Sequence, residues 1–162
     1  MQANFEQLGV TFQYPDGWTL DSQAILAGGR ELTVYSPGGA FWSLAIHDRQ
    51  TDPRALVDEF VNTMRAEYQN VDHELLDENA PAPEALACEV NFYCLDLTIT
   101  AIARVFCGAW ANYLVLYQAE DREFAQLADV FDAMTHSFVR ESLIGDPRQS
   151  QPPDHLADAL EE

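Results

Sequence analysis

The run from Glu84 to Cys107 contains no glycine and no proline, and it limits the choice of fold more than any other feature of the sequence. Its apolar residues alternate with period two, which is typical of a strand and wrong for a helix. The run is far longer than the five or six residues of an average strand. We therefore predict one reversal, in a tight loop near Leu97-Thr98, because Asp96 is the only plausible breaker within the run.

This reversal fixes a predicted strand register. The expected antiparallel partners are Cys94 with Ala101, Phe92 with Ala103, Val90 with Val105, and Cys88 with Cys107. A second turn follows, where Gly108-Ala109 is predicted to form a two-residue type II′ loop that pairs Cys107 with Trp110. With a third strand from Trp110 to Gln118, the segment becomes a three-strand meander.

The predicted register sorts the side chains of the meander onto two faces. The core face carries Leu86, Cys88, Val90, Phe92, Ala101, Ala103, Val105, Leu114 and Leu116. The other face is mixed and carries Glu89, Asn91, Tyr93, Ile102, Arg104, Phe106, Tyr113, Val115 and Tyr117. An arginine in the middle of a sheet should be paired if it is covered, and Asn91 or Glu89 is the expected partner of Arg104.

Three interpretations of this mixed face stay open. Arg104 can belong to a satisfied polar pair beneath a covering helix. It can instead line a groove that receives an anionic or carbonyl group of a ligand. The face can also be an interface with a partner or a second copy, since aromatic residues are enriched in interface cores. A covering helix would remove the ligand interpretation, and an open concave face would favour it.

Further strands are predicted on both sides of the meander. The turn Tyr14-Pro15-Asp16-Gly17 separates two strands within Val10–Leu20, because Pro presets φ and Gly accepts positive φ. Residues 31–36 and 40–48 read as a hairpin around Pro37-Gly38-Gly39. Val71 to Asp77 is expected to form a short exposed strand, followed by a loop over 78–83.

Two segments change to helical periodicity. In residues 53–70 the apolar positions recur every three or four residues, with Asp52 as N-cap and Pro53 at the first helical position. In residues 121–138 the stripe consists of Phe124, Leu127, Phe131, Met134 and Phe138. Acidic residues in its first turn interact favourably with the helix macrodipole.

The length of 162 residues fits one domain, which we place at residues 1–140, followed by a flexible acidic C-terminal tail over 141–162. No apolar stretch is long enough to span a bilayer, and the N-terminus has no signal-peptide pattern. The cysteines Cys88, Cys94 and Cys107 form no C-x-x-C pair. We therefore expect reduced core thiols in a cytoplasmic protein.

The charge balance excludes some partners. The chain has 27 acidic residues against 8 basic ones, all of them arginine, and its net charge is −19. Such a surface has no basic patch that could release phosphate counterions, so we expect binding neither to nucleic acid nor to an anionic membrane. The acidic, lysine-free composition has two alternative explanations, a saline cell or a genome-wide compositional bias.

Motifs of catalysis and of cofactor binding are missing from the sequence. It contains no G-x-G-x-x-G, P-loop, G-x-S-x-G or H-E-x-x-H pattern. The double glycines lie between strands and not at helix starts, and the four histidines are scattered. We predict no catalytic, cofactor or metal residue. The candidate interaction residues are Arg104, Asn91, Glu89, Tyr93, Tyr113, Tyr117, Phe41 and Trp42.

The order of elements resembles the PsbP-like (Mog/PsbP) fold superfamily over about residues 5–139. The resemblance is carried by the early turn Tyr14-Pro15-Asp16-Gly17-Trp18, the hairpin, the helix, the long meander and the final helix ending Met134-Thr135-His136-Ser137-Phe138. The run NFYCLDLT is similar to uncharacterised bacterial proteins of this type. The resemblance implies an antiparallel sheet with helices packed on it. It also implies a mostly non-enzymatic role, since members include photosystem assembly and oxygen-evolution subunits, a Ran-GTPase-binding protein and bacterial lipoproteins. This chain lacks the signal or lipobox cysteine of the lipoproteins and lumenal subunits, and no functional residue is carried over.

The sequence thus predicts an α+β fold: a twisted antiparallel sheet of six or seven strands packed with two main helices, in a PsbP-like α/β/α sandwich. The expected function is a soluble, non-enzymatic protein-binding or assembly module, with a protein partner or a homodimer. The alternative is a small-ligand-binding protein or an enzyme with a pocket beside Arg104.

Overall fold

The computed structural model of the protein describes residues 2–76 and 82–144. Nine strands lie in this part of the chain: β1 (Gln2–Gln7), β2 (Val10–Pro15), β3 (Thr19–Asp21), β4 (Glu31–Tyr35), β5 (Phe41–Asp48), β6 (Asp72–Leu75), β7 (Glu84–Cys94), β8 (Leu97–Cys107) and β9 (Ala111–Glu120). The helices are α1 (Gln23–Leu26), α2 (Pro53–Glu67) and α3 (Asp121–Phe138), and a π-helical turn, Val139–Leu143, continues α3.

Seven strands form one antiparallel sheet in the order β3-β4-β5-β9-β8-β7-β6, and β1 pairs with β2 in a separate two-stranded sheet. This architecture confirms the α+β fold class and the predicted number of strands. The predicted hairpin of residues 31–48 is present as β4 and β5, and the meander is present as β7, β8 and β9.

The two main helices cover opposite faces of the seven-stranded sheet. On one face, Leu56, Val57, Val61 and Met64 of α2 pack against the buried residues of β7 and β8. On the other face, Phe131, Met134 and Phe138 of α3 pack against β5, β8 and β9, together with Phe5 and Phe12 of the small sheet. Burial of these apolar surfaces is the main stabilising contribution to the sandwich.

The N-caps predicted or implied by the sequence are formed. The Asp52 side chain accepts a hydrogen bond from the Arg54 backbone N–H at 3.0 Å, with Pro53 at the first helical position of α2. At the start of α3 the Glu120 side chain accepts from the Glu123 backbone N–H at 3.3 Å. Each bond satisfies one of the N–H groups that a helix N-terminus leaves without an intrahelical partner.

The β7–β8 register predicted from the sequence is wrong. The turn lies at Leu95-Asp96, and Cys94 pairs with Leu97, where the prediction paired it with Ala101. Leu95 and Asp96 have φ of 50° and 67°, and two successive positive φ values are typical of a type I′ turn. This turn matches the twist of the strands, and it outweighs the poor fit of leucine to positive φ.

The β8–β9 turn also differs from the prediction. Cys107 pairs with Asn112, where the prediction paired it with Trp110, and residues 108–110 connect β8 to β9. The buried Asn112 amide donates to the Arg49 carbonyl at 3.1 Å and to the Thr51 carbonyl at 2.8 Å. These two bonds fix the start of β9 and exclude the shorter loop.

The small sheet and α1 were not predicted. The proline turn does separate two strands, but β2 pairs with β1 while β3 joins the seven-stranded sheet. The free edge of β2 is bonded to the end of α3, since Gln13 N–H donates to Ser137 Oγ at 2.7 Å and Thr11 N–H donates to Ser142 Oγ at 2.8 Å. These serines satisfy edge groups that would otherwise be open to another strand.

Two predicted segments fall at the limits of the described chain. The short strand expected at 71–77 is present as β6, and the loop over 78–83 lies mostly outside the described residues. The domain boundary at residue 140 falls inside the π-helical turn, and residues 145–162 of the predicted tail are outside the described part. Among the described helices, none is both long and apolar enough to cross a membrane.

Candidate functional site

Arg104, on β8, is the centre of a polar network on the face that α3 covers. Its Nη1 donates to Glu84 Oε1 at 2.7 Å, and its Nε donates to the Tyr117 hydroxyl at 2.9 Å. Glu84 opens β7, and an irregularity in the pairing between Glu84 and Leu86 brings its side chain to Arg104. The predicted polar pair therefore exists, but its acidic partner is different.

Asn91 and Glu89, the predicted partners of Arg104, belong to another cluster. Asn91 pairs across the sheet with Thr100 and not with Arg104, because the turn lies at Leu95-Asp96. Asn91 Nδ2 donates to Glu89 Oε2 at 3.3 Å, and Thr100 Oγ1 lies 2.9 Å from Asn91 Oδ1. These two residues are therefore separate from the Arg104 network.

The network shifts the pKa values of Arg104 and of the Tyr117 hydroxyl. Burial alone would lower the pKa of Arg104, but the interactions of Arg104 with Tyr117 and Glu84 outweigh this effect, so the pKa is raised. Burial raises the pKa of the Tyr117 hydroxyl, and the nearby Arg104 offsets part of that increase. Arg104 therefore stays charged and Tyr117 stays neutral in the neutral pH range.

A cavity of about 450 Å³ opens beside this network. Its polar lining comes from Glu84, Arg104, Asp132, Thr135 and His136. Its apolar lining comes from Ala82, Pro83, Phe106, Val139 and Ile144. The side chains of Arg104 and Glu84 are 25% and 18% exposed, so the ion pair is only partly shielded from solvent.

Most of the predicted aromatic surface is buried, since three of its five aromatic residues lie in the core. Tyr113, Tyr117 and Trp42 are 3%, 1% and 0% exposed, because α3 covers them. Tyr117 stacks on Phe131 of α3 with ring centroids 4.9 Å apart. Trp42 Nε1 donates to the buried Thr135 hydroxyl at 3.0 Å. These three side chains stabilise the fold and offer no surface to a partner.

Phe41 and Tyr93 are the two predicted aromatic residues that reach the surface. Phe41 is half-buried at the start of β5, next to the partly exposed Tyr35 with ring centroids 6.2 Å apart. Tyr93 lies near the end of β7 and is 56% exposed. The structure does not bring these two residues together, because β8 and β9 lie between their strands.

Tyr93 belongs to an apolar hairpin tip, residues 92–98, that the sequence analysis missed as a surface. On one side β6 pairs with β7 only up to Asn91, and on the other side β9 pairs with β8 only from Ile99. Within the described chain, residues 92–98 therefore form strand pairs only across this hairpin, with Phe92 opposite Ile99, and the tip extends beyond the neighbouring strands. Leu95 is 91% exposed and Leu97 is 50% exposed, so three large apolar side chains lie in solvent at this end.

The three cysteines do not form a site. Cys88 pairs with Ala103 and not with Cys107, and all three thiols are free. Burial raises the pKa of the Cys88 thiol, which keeps it protonated and unreactive. In residues 2–76 and 82–144, no three His, Cys, Asp or Glu side chains come close enough together to hold a metal ion.

Comparisons with known proteins identify the fold. The chain has 14% identity and a TM-score of 0.60 to the solution structure of cyanobacterial PsbP from Synechocystis sp. PCC 6803, over 85% of this chain and 89% of that one. A Pseudomonas aeruginosa protein of unknown function is similar over 86% of this chain and 97% of its own, with 9% identity and a TM-score of 0.50. Neither a protein-family profile nor a curated protein sequence matches the chain. The fold is PsbP-like, as the order of sequence elements indicated.

Proposed function

We propose that this protein is a non-enzymatic binding or assembly module that contacts a protein partner through the hairpin tip, residues 92–98. The observation that carries the proposal is the extension of this tip beyond both neighbouring strands with Tyr93, Leu95 and Leu97 exposed. Apolar side chains grouped in solvent mark protein interaction sites, and tyrosine is enriched among the residues that dominate binding energy.

The backbone of the tip supports the same conclusion. Leu95 has φ of 50°, in the left-handed region that asparagine and glycine adopt more easily than leucine. A leucine here costs stability through its backbone conformation, and its 91% exposed side chain gains almost no burial in return. Binding to a partner gives a physical reason for keeping an apolar residue at this position.

Charge defines the kind of partner. Asp96 is exposed at the centre of the tip, and the whole chain carries a net charge of −19. We therefore propose a protein with an apolar pocket and a basic rim. Two tips of the same protein would bring their Asp96 carboxylates together, so a different protein is favoured over a homodimer. Nucleic acid and anionic membranes are disfavoured as partners for the same electrostatic reason.

We also propose a cytoplasmic location. The three thiols are free, and Cys107 is exposed at the end of β8. A free, exposed thiol is typical of proteins in a reducing compartment. Alkylation of the protein in intact cells, followed by mass spectrometry, should find Cys107 reduced.

The test of the binding role uses a matched pair of photo-crosslinking positions. A photoreactive phenylalanine analogue replaces Tyr93 in one sample and Tyr35, 41% exposed on the opposite side of the sheet, in the other. Crosslinks in cells that make the protein are identified by mass spectrometry, and each captured protein is then purified for a binding measurement. We expect one dominant heterologous partner from Tyr93 that is absent from Tyr35. Equal products from both positions would contradict the proposal.

The purified partner is then tested with Leu95→Asn. Asparagine adopts positive φ more easily, so this variant should unfold with a free energy higher by about 0.5 to 1 kcal/mol. Loss of the apolar anchor should weaken binding to the partner at least about tenfold. If the variant is more stable but binds the partner less tightly, the loss of binding is not caused by a loss of folding. Unchanged affinity would refute the role of the tip.

A further inference from the structure

The cavity beside Arg104 is separate from the hairpin tip. Leu97 and Arg104 are seven residues apart on β8, so they are separated by about 23 Å at the usual rise of a strand. The tip and the cavity therefore lie toward opposite ends of this strand. Binding of a ligand in the cavity and binding of a protein at the tip are therefore independent activities, and the chain can have either one without the other.

The ion pair at the cavity leaves one donor group and one acceptor atom without partners among the described residues. A guanidinium has five N–H donors, and Arg104 uses Nε for Tyr117 and Nη1 for Glu84. Its Nη2 group has no hydrogen-bond partner among the described residues, and neither does the second carboxylate oxygen of Glu84, Oε2. Both side chains line the cavity and are partly exposed, so this donor and this acceptor are available to a ligand there.

The rest of the lining defines the size and polarity of a ligand. Phe106, Val139 and Ile144 form apolar walls, and Ile144 is 64% exposed. A cavity of about 450 Å³ lies within the usual range for small-molecule sites, which combine apolar walls with a few polar groups. A ring of six atoms with one polar substituent fits such a volume.

The charges and the N–H donors of the lining disfavour the two ionic classes of ligand for different reasons. Glu84 and Arg104 neutralise each other, and Asp132 adds a further carboxylate near His136. An anion would face Asp132 and the net charge of −19, while a cation would bring further N–H donors against those of Arg104. A neutral group with an acceptor beside a donor satisfies both Arg104 and Glu84.

We propose that the cavity lined by Arg104, Glu84, Phe106 and Val139 binds an uncharged planar amide, either a carboxamide or a lactam, attached to an apolar ring. The amide oxygen accepts from Arg104 Nη2, and the amide N–H donates to Glu84 Oε2. The ring contacts Phe106 and Val139. Both hydrogen bonds of the ligand amide are made to charged partners, which makes them stronger than hydrogen bonds between neutral groups.

Three isosteric probes test this class. Benzamide, benzoate and benzamidine share one ring and differ in the charge of the substituent. Each is titrated into the ¹⁵N-labelled full chain, and amide and arginine side-chain resonances are followed by NMR. For benzamide we expect a dissociation constant on the order of 1 mM, with shifts at Phe106, Val139 and the Arg104 side chain. Benzoate and benzamidine should each bind at least about tenfold more weakly.

Two variants complete the experiment. Glu84→Gln replaces the carboxylate with an amide of the same shape, and benzamide should bind it at least about tenfold more weakly. Glu59→Gln makes the same change at an exposed position on α2, outside the cavity, and should leave binding unchanged. The spectrum of each variant without a probe verifies that it is folded.

Each remaining result would overturn the proposal. No saturable shift with benzamide at about ten times the expected dissociation constant would show that the cavity is not an amide site. Equal or tighter binding of benzamidine would identify a plain acidic site, and tighter binding of benzoate would identify a site governed by Arg104 alone. Shifts remote from Phe106 and Val139, or full affinity in Glu84→Gln, would place benzamide elsewhere. None of these results bears on crosslinking at Tyr93.

Discussion

Replacement of Arg104 by leucine should destabilise the protein by about 3 kcal/mol. Breaking a fully buried ion pair costs about 3 to 5 kcal/mol, and an exposed pair contributes about 0 to 1. The Arg104–Glu84 contact of 2.7 Å lies between these limits, because its side chains are 25% and 18% exposed. We assign about 2 kcal/mol to the loss of the ion-pair partner of the Glu84 carboxylate. The Tyr117 hydroxyl, on a side chain 1% exposed, loses its donor and adds about 1 kcal/mol.

A matched control distinguishes this network from the general effect of losing a cation. Arg54 forms an exposed pair with Asp58 at 3.2 Å, with both side chains 58% exposed. Arg54→Leu changes the net charge by the same amount as Arg104→Leu but should cost at most about 0.5 kcal/mol. The double variant Arg104→Leu with Glu84→Leu leaves no unpaired carboxylate, so its cost should fall to about 1 kcal/mol.

Urea unfolding at neutral pH measures these differences. For a slope near 2 kcal/mol per molar urea, a cost of 3 kcal/mol lowers the midpoint by about 1.5 M. The midpoint of Arg54→Leu should move by less than about 0.3 M. If Arg104→Leu unfolds no earlier than Arg54→Leu, the network does not stabilise the fold. If the double variant is less stable than Arg104→Leu, the carboxylate is not stranded as we argue.

Three further predictions concern buried polar groups. Thr135→Val should cost about 1 to 3 kcal/mol in urea unfolding, because it leaves the Trp42 N–H without an acceptor, while Thr135→Ser should recover most of it. Asn112→Asp places a carboxylate against two backbone carbonyls, so its destabilisation should be larger at about pH 7 than at about pH 5, and equal values would contradict this. Because burial raises the pKa of both Cys88 and Tyr117, the unfolded state releases these protons first. These two groups should therefore add no pH dependence to the free energy of unfolding below about pH 8.5, and that free energy should fall as the pH rises through and beyond about 10. Cys88→Ala should remove the earliest part of this fall, and an unchanged onset would rule out the thiol as its cause.

The two faces of the meander were predicted correctly although the turn was misplaced. The predicted and observed partners of Cys94 are Ala101 and Leu97, which differ by four residues. Successive side chains of a strand point to opposite faces, so an even displacement keeps every residue on its own face. Val90 and Phe92 therefore lie in the core beneath α2, as the alternation predicted.

Other features of the fold could not be predicted from the spacing of apolar residues. Strand β1 was missed because Phe5 is its only buried residue, so its sequence has no apolar alternation. The stripe of α3 predicted a helix, but it could not show which sheet face that helix covers. That choice decides whether Tyr113, Tyr117 and Trp42 are surface or core, and it places these three of the eight candidate interaction residues in the core.

The partner of Arg104 shows why a polar site is harder to predict than a core face. An apolar residue needs only the correct face, and an even error in register preserves it. An ion pair needs the correct neighbour, and a displacement of four residues moved Asn91 opposite Thr100 and away from Arg104. Glu84 reaches Arg104 through an irregularity of β7 that no sequence pattern marks. The same reasoning applies to the hairpin tip: Leu95 is exposed only because the turn centres on it, so the surface proposed for binding became visible once the register was known.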